Sequence, residues 1–314
     1  MNEFSSLTAF TIITPNYLAH AYALRQSFLN LHPGSSFVIC LIGTQKPAKS
    51  DEKEIVLLKE LKDERIEGMI QRYNPFELSC ALKPYFAEHL LTLKPNSIRF
   101  IYLDSDIGVF GRFDQQSQAA VTISPHRTKN VNYLPGLDNF STTELLRYGV
   151  YNAGYFEINR SNEAKRFLSW WQQVLEHFSY NKPDKHIFTD QLWLSVVPSF
   201  FDDVYINKKP GFNVGFWNLI ERTVEYTNNQ WLVNGEPLVF YHFSRYKLEL
   251  PDNMVDFDHP MLSFQSKPQL KILYDQYREQ ILNEGYETLK QLPYPYPYPA
   301  KEKKSWWKKL FNLW

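Results

Sequence analysis

The sequence predicts an α/β domain in which a single, mostly parallel twisted sheet is flanked by helices and followed by a C-terminal helical tail. Three observations lead there. The first half of the chain alternates apolar runs with amphipathic stretches, the order of βα units around a parallel sheet. Residues 37–42 are apolar without polar alternation, which suits a strand covered on both faces. With 314 residues and 44% hydrophobic content, the chain also has ample core for one large or two small globular domains.

Each element has a local reason. Residues 7–14 read as the first strand, and Pro15 opens a helix whose Ala21, Leu24, Phe28 and Leu31 recur at helical spacing. Residues 37–42 give a second strand, ended by Gly43. Asp51 caps a helix running to about Leu61, and Met69 and Ile70 fall in a short third strand. Leu78, Leu82, Tyr85, Phe86, His89, Leu90 and Leu93 trace a broad helical stripe that Pro84 kinks or starts. Residues 98–103 form a fourth strand leading straight into Asp104-Ser105-Asp106. From 113 to 150 the periodicity fades and Pro, Gly, Asn and Thr accumulate, the mark of a long functional loop.

Regular structure resumes at 154–159, followed by a helix with Phe167, Trp170, Trp171, Val174 and Phe178 along one side. A short helix begins near Thr189 and ends before Pro198; then come a strand at 204–206, a Gly/Asn-rich turn at 211–215, a hairpin at 231–236 and a strand at 238–243. Residues 271–289 read as a helix docking on the domain. The alternating Pro and Tyr of 293–299 call for an extended, stiff segment that carries the last residues of the chain away from the core. The expected division is therefore a main domain at 1–250, a helical extension at 251–291, a spacer at 292–300 and a basic amphipathic helix at 301–314.

Charge and cysteine content narrow the class. Lys+Arg and Asp+Glu balance at 34 each, which removes the global basic signature of a nucleic-acid binder, so no nucleic-acid partner is expected. Only Cys40 and Cys80 occur, both in apolar surroundings, so buried thiols in a reducing compartment are expected rather than a disulfide scaffold. The N-terminal residues lack a signal-peptide pattern, and no apolar run approaches the roughly 20 residues needed to span a bilayer. The expected location is cytoplasmic. Within 301–314, five lysines and one glutamate give a local charge of +4. On a helical wheel Trp306, Trp307, Leu310, Phe311, Leu313 and Trp314 share one arc, opposite Lys308, Lys309 and Asn312. That pattern fits peripheral attachment to the anionic inner face of a membrane, with docking on the chain's own domain or a partner as the alternative.

The leading candidate for chemistry is Asp104-Ser105-Asp106. Period-two geometry at a strand end projects both carboxylates to one side, where they can share a divalent cation. A second copy, Asp256-Phe257-Asp258, lies between Pro251 and Pro260 with no strand before it and reads as a solvated turn or cap. Read from the residues alone, His242 at the end of an apolar run is a ligand or a satisfied structural histidine, and Lys83 is a phosphate or sugar contact or a surface lysine. Asp190 and Gln191 fall in the first turn of a helix, where Asp also serves as a cap, and Asn152 fits a turn as well as a binding role. His20, His32, His89 and His177 lack metal-ligand spacing and read as packing or surface residues; Phe212, Phe216 and Trp217 read as core, with stacking on a sugar as the alternative.

Taken together, Thr14-Pro15-Asn16-Tyr17, Ala81-Leu82-Lys83-Pro84, Ile101-Tyr102-Leu103-Asp104-Ser105-Asp106, Tyr151-Asn152-Ala153-Gly154, Thr189-Asp190-Gln191 and Tyr241-His242-Phe243-Ser244 resemble the GT-A class of nucleotide-sugar glycosyltransferases. The resemblance covers roughly residues 7–247 and is closest to bacterial retaining enzymes of the family 8 pattern. It implies a GT-A domain, a nucleotide-diphosphate sugar donor such as a UDP-sugar, Mn²⁺ (or Mg²⁺), and a glycan or lipid-linked acceptor, as in cell-surface polysaccharide biosynthesis. It further implies Asp104, Asp106 and His242 as metal ligands and Asp190 and Gln191 as the catalytic pair; retention rests on the resemblance, and Asp190 as an inverting base is the alternative. Thr14, Asn16, Tyr17, Lys83, Asp104, Ser105, Asn152 and Lys247 become donor-binding residues. That family places a glycine three residues and a lysine six residues after its ligand histidine, whereas this chain has Arg245 at the third place and Lys247 at the fifth. Two other readings compete. A haloacid-dehalogenase-like phosphatase also carries Asp-x-Asp after an apolar strand, but with Thr or Val where this chain has Gly108. A non-catalytic nucleotide-sugar or glycan-binding protein is the second.

Overall fold

The computed structural model describes residues 7–47, 54–114, 117–129 and 142–298. In chain order the elements are β1 (Leu7–Ile13), α1 (Leu18–Leu31), β2 (Ser36–Leu41), β3 (Ile55–Leu57), α2 (Arg65–Arg72), α3 (Pro75–Ala81), α4 (Lys83–Leu93), β4 (Arg99–Leu103) and β5 (Ile107–Val109). They continue with β6 (Val121–Pro125), α5 (Thr142–Tyr148), β7 (Tyr151–Asn159), α6 (Asn162–Phe178), β8 (Asn181–Lys182), β9 (Ile187–Phe188), α7 (Val197–Phe200) and β10 (Val204–Ile206). The last are β11 (Val214–Gly215), β12 (Val224–Thr227), β13 (Gln230–Val233), β14 (Glu236–Pro237), β15 (Phe240–His242), α8 (Pro268–Asn283) and α9 (Tyr286–Leu289).

Among the described residues the main sheet has seven strands in the order β10-β6-β7-β4-β1-β2-β3. β7 runs antiparallel to both neighbours and every other pairing in this sheet is parallel. All seven residues of β1 are buried, because helices cover both faces. Phe10 and Ile12 point into a core shared with α2, α3, α4 and α6; Leu7, Ala9 and Ile13 point into a second core against α1. This two-sided burial is why the early strands read as continuous apolar runs. Smaller sheets, β11-β15-β5 and β12-β13-β14, lie beside the main one.

Local chemistry sets the helix starts. Asn74 caps α3 by accepting from the amides of Phe76 and Glu77, Pro75 occupies the first turn, and Glu77 reaches back to the Asn74 amide. Ser161 caps α6 in the same way through the Ala164 amide.

Several expected elements differ. Met69 and Ile70 lie in helix α2, where with Ile66 they form one buried stripe, and the third strand is instead 55–57, in the stretch expected to be helical. Asp51 is outside the described residues. The broad stripe at 78–93 is two helices, with Pro84 in the first turn of the second. The stretch 113–150 contains β6 and α5. Pro198 sits inside α7 rather than beyond a helix, in the first turn, where its missing amide donor costs nothing.

The C-terminal portion is tied to the domain. Phe243 stacks on Tyr277 with ring centroids 3.7 Å apart, and the Tyr241 and Tyr274 hydroxyls meet at 3.1 Å, joining α8 to β15 and, through Ala19 and Ala23, to α1. The Pro-Tyr segment does not leave the surface at once: Tyr294 and Tyr296 pack against the core that holds Cys40. The helix expected at 301–314 lies outside the described residues. Among the described residues no helix is long and apolar enough to cross a membrane.

Candidate active site

Three chain segments converge at the carboxyl edge of β4. Asp104-Ser105-Asp106 forms the tight turn between β4 and β5, closed by the Ile107 amide donating to the Asp104 carbonyl at 3.1 Å, so a turn rather than an extended strand end gathers the two carboxylates. On one side β15 pairs antiparallel with β5, setting His242 opposite Ile107, and the Phe243 amide donates to the Asp106 carbonyl at 2.8 Å. On the other side β7 pairs with β4, and the Asp104 amide donates to the Gly154 carbonyl at 2.8 Å. Backbone hydrogen bonds thus fix the spacing of the site before any side chain is considered.

His242 Nε2 lies 2.8 Å from Asp106 Oδ1 and 3.9 Å from Asp104 Oδ2. One ligand atom from each of Asp104, Asp106 and His242 falls within 4.8 Å of the others, and among the described residues no other group of three does so. Burial alone would lower the His242 pKa, but the Asp106 carboxylate, helped by Asp104, raises it. Burial correspondingly pushes Asp106 up, and His242 outweighs it and holds the carboxyl below its usual range. Gly154 makes this packing possible. A Cβ there would come within 2.8 Å of Asp104 Oδ2, 2.9 Å of Asn152 Oδ1, and closer still to His242 Cε1. The donor set of two carboxylates and one imidazole fits a hard-to-intermediate divalent cation such as Mn²⁺.

Lys83 enters from the start of α4. Only 3% exposed, it places Nζ 3.3 Å from Asp104 Oδ1, 2.7 Å from Asp190 Oδ2 and 3.0 Å from the Ala153 carbonyl, which it donates to. Burial works against its charge, but Asp104 and Asp190 together raise its pKa and keep it an ammonium. It is not a surface lysine. Tyr102 donates its hydroxyl to Asp104 Oδ1 at 2.5 Å and offers its ring face to Lys83. Asp190, 2% exposed, precedes a short 3-10 helix and does not cap it; Gln191 Oε1 accepts from the Ala153 amide at 3.3 Å while its Nε2 donates to the Tyr148 carbonyl at 2.9 Å. Asn152 accepts from the Gly154 amide at 2.6 Å and lies 3.5 Å from His242 Nδ1, behind the imidazole.

These groups line one cavity of about 1200 Å³. Asn16, Tyr17, Lys83, Asp104, Asp106, Asn152, Asp190, Gln191, His242 and Lys247 all contribute to its wall. Thr14 and Ser105 do not; Thr14 instead donates to the Asn16 side-chain oxygen at 2.7 Å and orients it. The second Asp-x-Asp is no free turn: Asp256 lines the cavity with Arg245 at 2.7 Å and Lys247 at 3.9 Å.

Sequence reasoning missed other wall residues. Trp217 meets the His242 ring edge-on at 5.2 Å, and His126 in turn meets Trp217 at 5.4 Å. His20 faces the cavity beside Tyr17. Burial lowers the pKa of both His20 and His126 to about 4, so both imidazoles are neutral. Burial likewise raises the Cys80 thiol, helped by Asp190, so Cys80 is an inert wall residue. Only the order of motifs along the chain could have hinted at these neighbours, since none sits at a diagnostic spacing.

No family model matches the chain. YfnF of Bacillus subtilis (strain 168), described as an uncharacterized protein, is 24% identical over 249 residues, covering 76% of this chain and 81% of YfnF. Among solved structures, the bifunctional glycosyltransferase WbbM in its apo form aligns with a TM-score of 0.50 and 15% identity, covering 91% of this chain and 51% of WbbM. The fold is GT-A. This chain thus spans about half the length of WbbM. The galactosyltransferase LgtC, solved with donor and acceptor sugar analogs, aligns with a TM-score of 0.47 and 13% identity over 91% of this chain and 97% of LgtC.

Proposed function

We propose that this chain is a glycosyltransferase that moves a hexosyl group from a nucleotide-diphosphate sugar, a UDP-sugar, to a glycan or lipid-linked acceptor with retention of configuration. The observation that carries this reading is the Asp104, Asp106 and His242 cluster at the carboxyl edge of β4, where open α/β sheets bind ligands. A divalent cation held there by these three side chains would neutralise the diphosphate as Lewis acid and template.

The chain's own residues do the rest. Lys83 adds a fixed positive charge beside Asp104, and it faces the leaving diphosphate without any proton exchange. As the bond between the anomeric carbon and the diphosphate oxygen breaks, its electron pair stays on that oxygen and positive charge develops on the sugar. Asp190, anchored by Lys83, is the carboxylate set to hold sugar hydroxyls and stabilise that charge, while Gln191 ties the 148–153 segment to the same spot. The acceptor hydroxyl oxygen bonds to the anomeric carbon, and its proton passes to the departing diphosphate. Asn16, Tyr17, His126, Glu144, Leu145 and Tyr148 all line the cavity; in this reading the first two meet the donor and the other four, flanking residues 130–141, meet the acceptor. The cavity volume exceeds that of a typical small-molecule pocket, as two substrates require. The pattern of residues 301–314 supports placing the enzyme on the inner membrane face, where a lipid-linked acceptor resides.

The test is a panel of nucleotide sugars with and without Mn²⁺, followed by product analysis. Asp106→Ala should abolish Mn²⁺-supported hydrolysis and transfer. Wild-type activity in that variant would refute the mechanism, and donor binding without any turnover would favour a non-catalytic binding protein.

A further inference from the structure

The cavity has two chemically unlike ends. Asp104 faces Lys83, Tyr102 and, through Lys83, Asp190, a dense set of charged and hydrogen-bonding groups. Asp106 pairs with His242 Nε2 at 2.8 Å, and Tyr17 and His20 line the same cavity. Around those two residues the wall is aromatic and comes partly from far along the chain. The Tyr17 and His20 rings lie 5.0 Å apart, and the Tyr286 ring meets His20 edge-on at 5.6 Å. Tyr286 donates its hydroxyl to Glu249 Oε1 at 2.6 Å, and Lys290 Nζ lies 3.7 Å from the same oxygen. All five residues line the cavity.

We propose that His20, Glu249, Tyr286 and Lys290 complete a nucleoside subsite opposite Tyr17, so that helix α9 forms part of the binding site for a nucleoside diphosphate. This rests on the transferase reading and extends it to residues beyond 247, where the motif resemblance ends. The argument is one of chemistry. A diphosphate held at Asp104 and Asp106 carries a sugar on one phosphate and a nucleoside on the other, and the buried Lys83–Asp190 pair matches a sugar bearing many hydroxyls. The other end offers what a base and ribose need. Tyr17 is 41% exposed and presents ring surface for stacking. His20 is 8% exposed, and its ring borders the cavity 5.0 Å from that of Tyr17. Glu249 keeps half of its side chain exposed, so a carboxylate oxygen is free to accept from ribose hydroxyls, and the bond from Tyr286 fixes its position.

Calorimetric titration separates this subsite from the metal cluster. UDP, GDP and inorganic pyrophosphate are each titrated with Mn²⁺ present, and the tighter of the two nucleotides is followed. His20→Phe, which keeps a ring and removes the nitrogens, and Glu249→Gln, at an exposed position where folding is safe, should each weaken that nucleotide about fivefold or more. Both should leave pyrophosphate affinity within about twofold of wild type. Asp104→Asn should weaken both ligands together. Unchanged nucleotide affinity in Glu249→Gln and His20→Phe, or equal loss of nucleotide and pyrophosphate, would overturn the subsite and leave the transferase reading standing. A wild-type protein that binds neither nucleotide would overturn both.

Discussion

Gly154→Ala is the smallest change that should disable the proposed metal cluster while leaving the fold in place. The new methyl would need the His242 imidazole to retreat by about 1 Å to regain ordinary carbon–carbon contact, and it would also press on Asp104 Oδ2 and Asn152 Oδ1. Metal ligands tolerate errors of only about 0.2 Å, and disturbing the residues that orient them lowers metal affinity by roughly 10–100-fold. Stability should fall less steeply, by about 1–3 kcal/mol, as for other overpacked sites. Mn²⁺ titration in the presence of UDP reads the first effect and urea unfolding the second. The clash also predicts coupling: in a His242→Ala background the stability cost of Gly154→Ala should shrink by about 1 kcal/mol, since one of the three crowded groups is gone. Wild-type Mn²⁺ affinity in Gly154→Ala, or strictly additive stability effects, would refute the account of how the cluster is packed.

Three further outcomes are expected. Asp256→Ala should leave Mn²⁺ binding intact and raise donor KM by no more than about fivefold, because its partners Arg245 and Lys247 are half exposed and such pairs contribute about 0.2–1 kcal/mol; a loss as large as that of Asp106→Ala would contradict the separate roles of the two Asp-x-Asp copies. His20 and His126 are neutral when folded, with pKa values near 4 against about 6.5 in the unfolded chain, so between those values the unfolded state binds more protons and stability falls as pH falls. Each should contribute a slope of about 1.4 kcal/mol per pH unit in that window, and urea unfolding of a His20→Phe, His126→Phe protein should show a shallower pH dependence than wild type; equal slopes would count against it. Full-length protein should co-sediment with anionic liposomes at low salt and release at high salt, while a version ending at Gln291 should not bind; equal sedimentation of the two would exclude the tail as an anchor.

What was legible in the sequence was what is local. Asp104 and Asp106 are two residues apart after a buried strand, so their partnership needed no knowledge of the fold. His242 gains its role from the pairing of β15 with β5, a contact across most of the chain, and its own neighbourhood does not distinguish a ligand from a core histidine. Only the ordered series of motifs connected the two. The misread elements are short. Met69 and Ile70 look like a strand when taken as a pair, although Ile66, Met69 and Ile70 together carry helical spacing. β3 has three residues at the edge of the sheet, and its conformation is set by pairing with β2 rather than by local preference. His20 was illegible for a different reason: it lies among Ala19, Ala21 and Leu24 in a buried stretch of α1, and only the approach of α9 shows that its ring borders a cavity.

Lys83 explains why the two halves of the site belong together. A carboxylate as buried as Asp190 persists in a protein interior when a cation is hydrogen-bonded or paired to it. Here that cation is the same ammonium that sits beside Asp104, a ligand of the proposed metal. The Lys83 side chain is itself immobilised by the Ala153 carbonyl and by the face of Tyr102, and Tyr102 in turn donates to Asp104. The loop is closed: Asp104 to Lys83, Lys83 to Asp190, Lys83 to Ala153, and Ala153 by its amide to Gln191. A residue at the diphosphate end therefore shares its fixed partners with the residues at the sugar end. The charge that would neutralise the leaving group and the carboxylate that would stabilise the sugar are held in register by one buried lysine at the first position of α4.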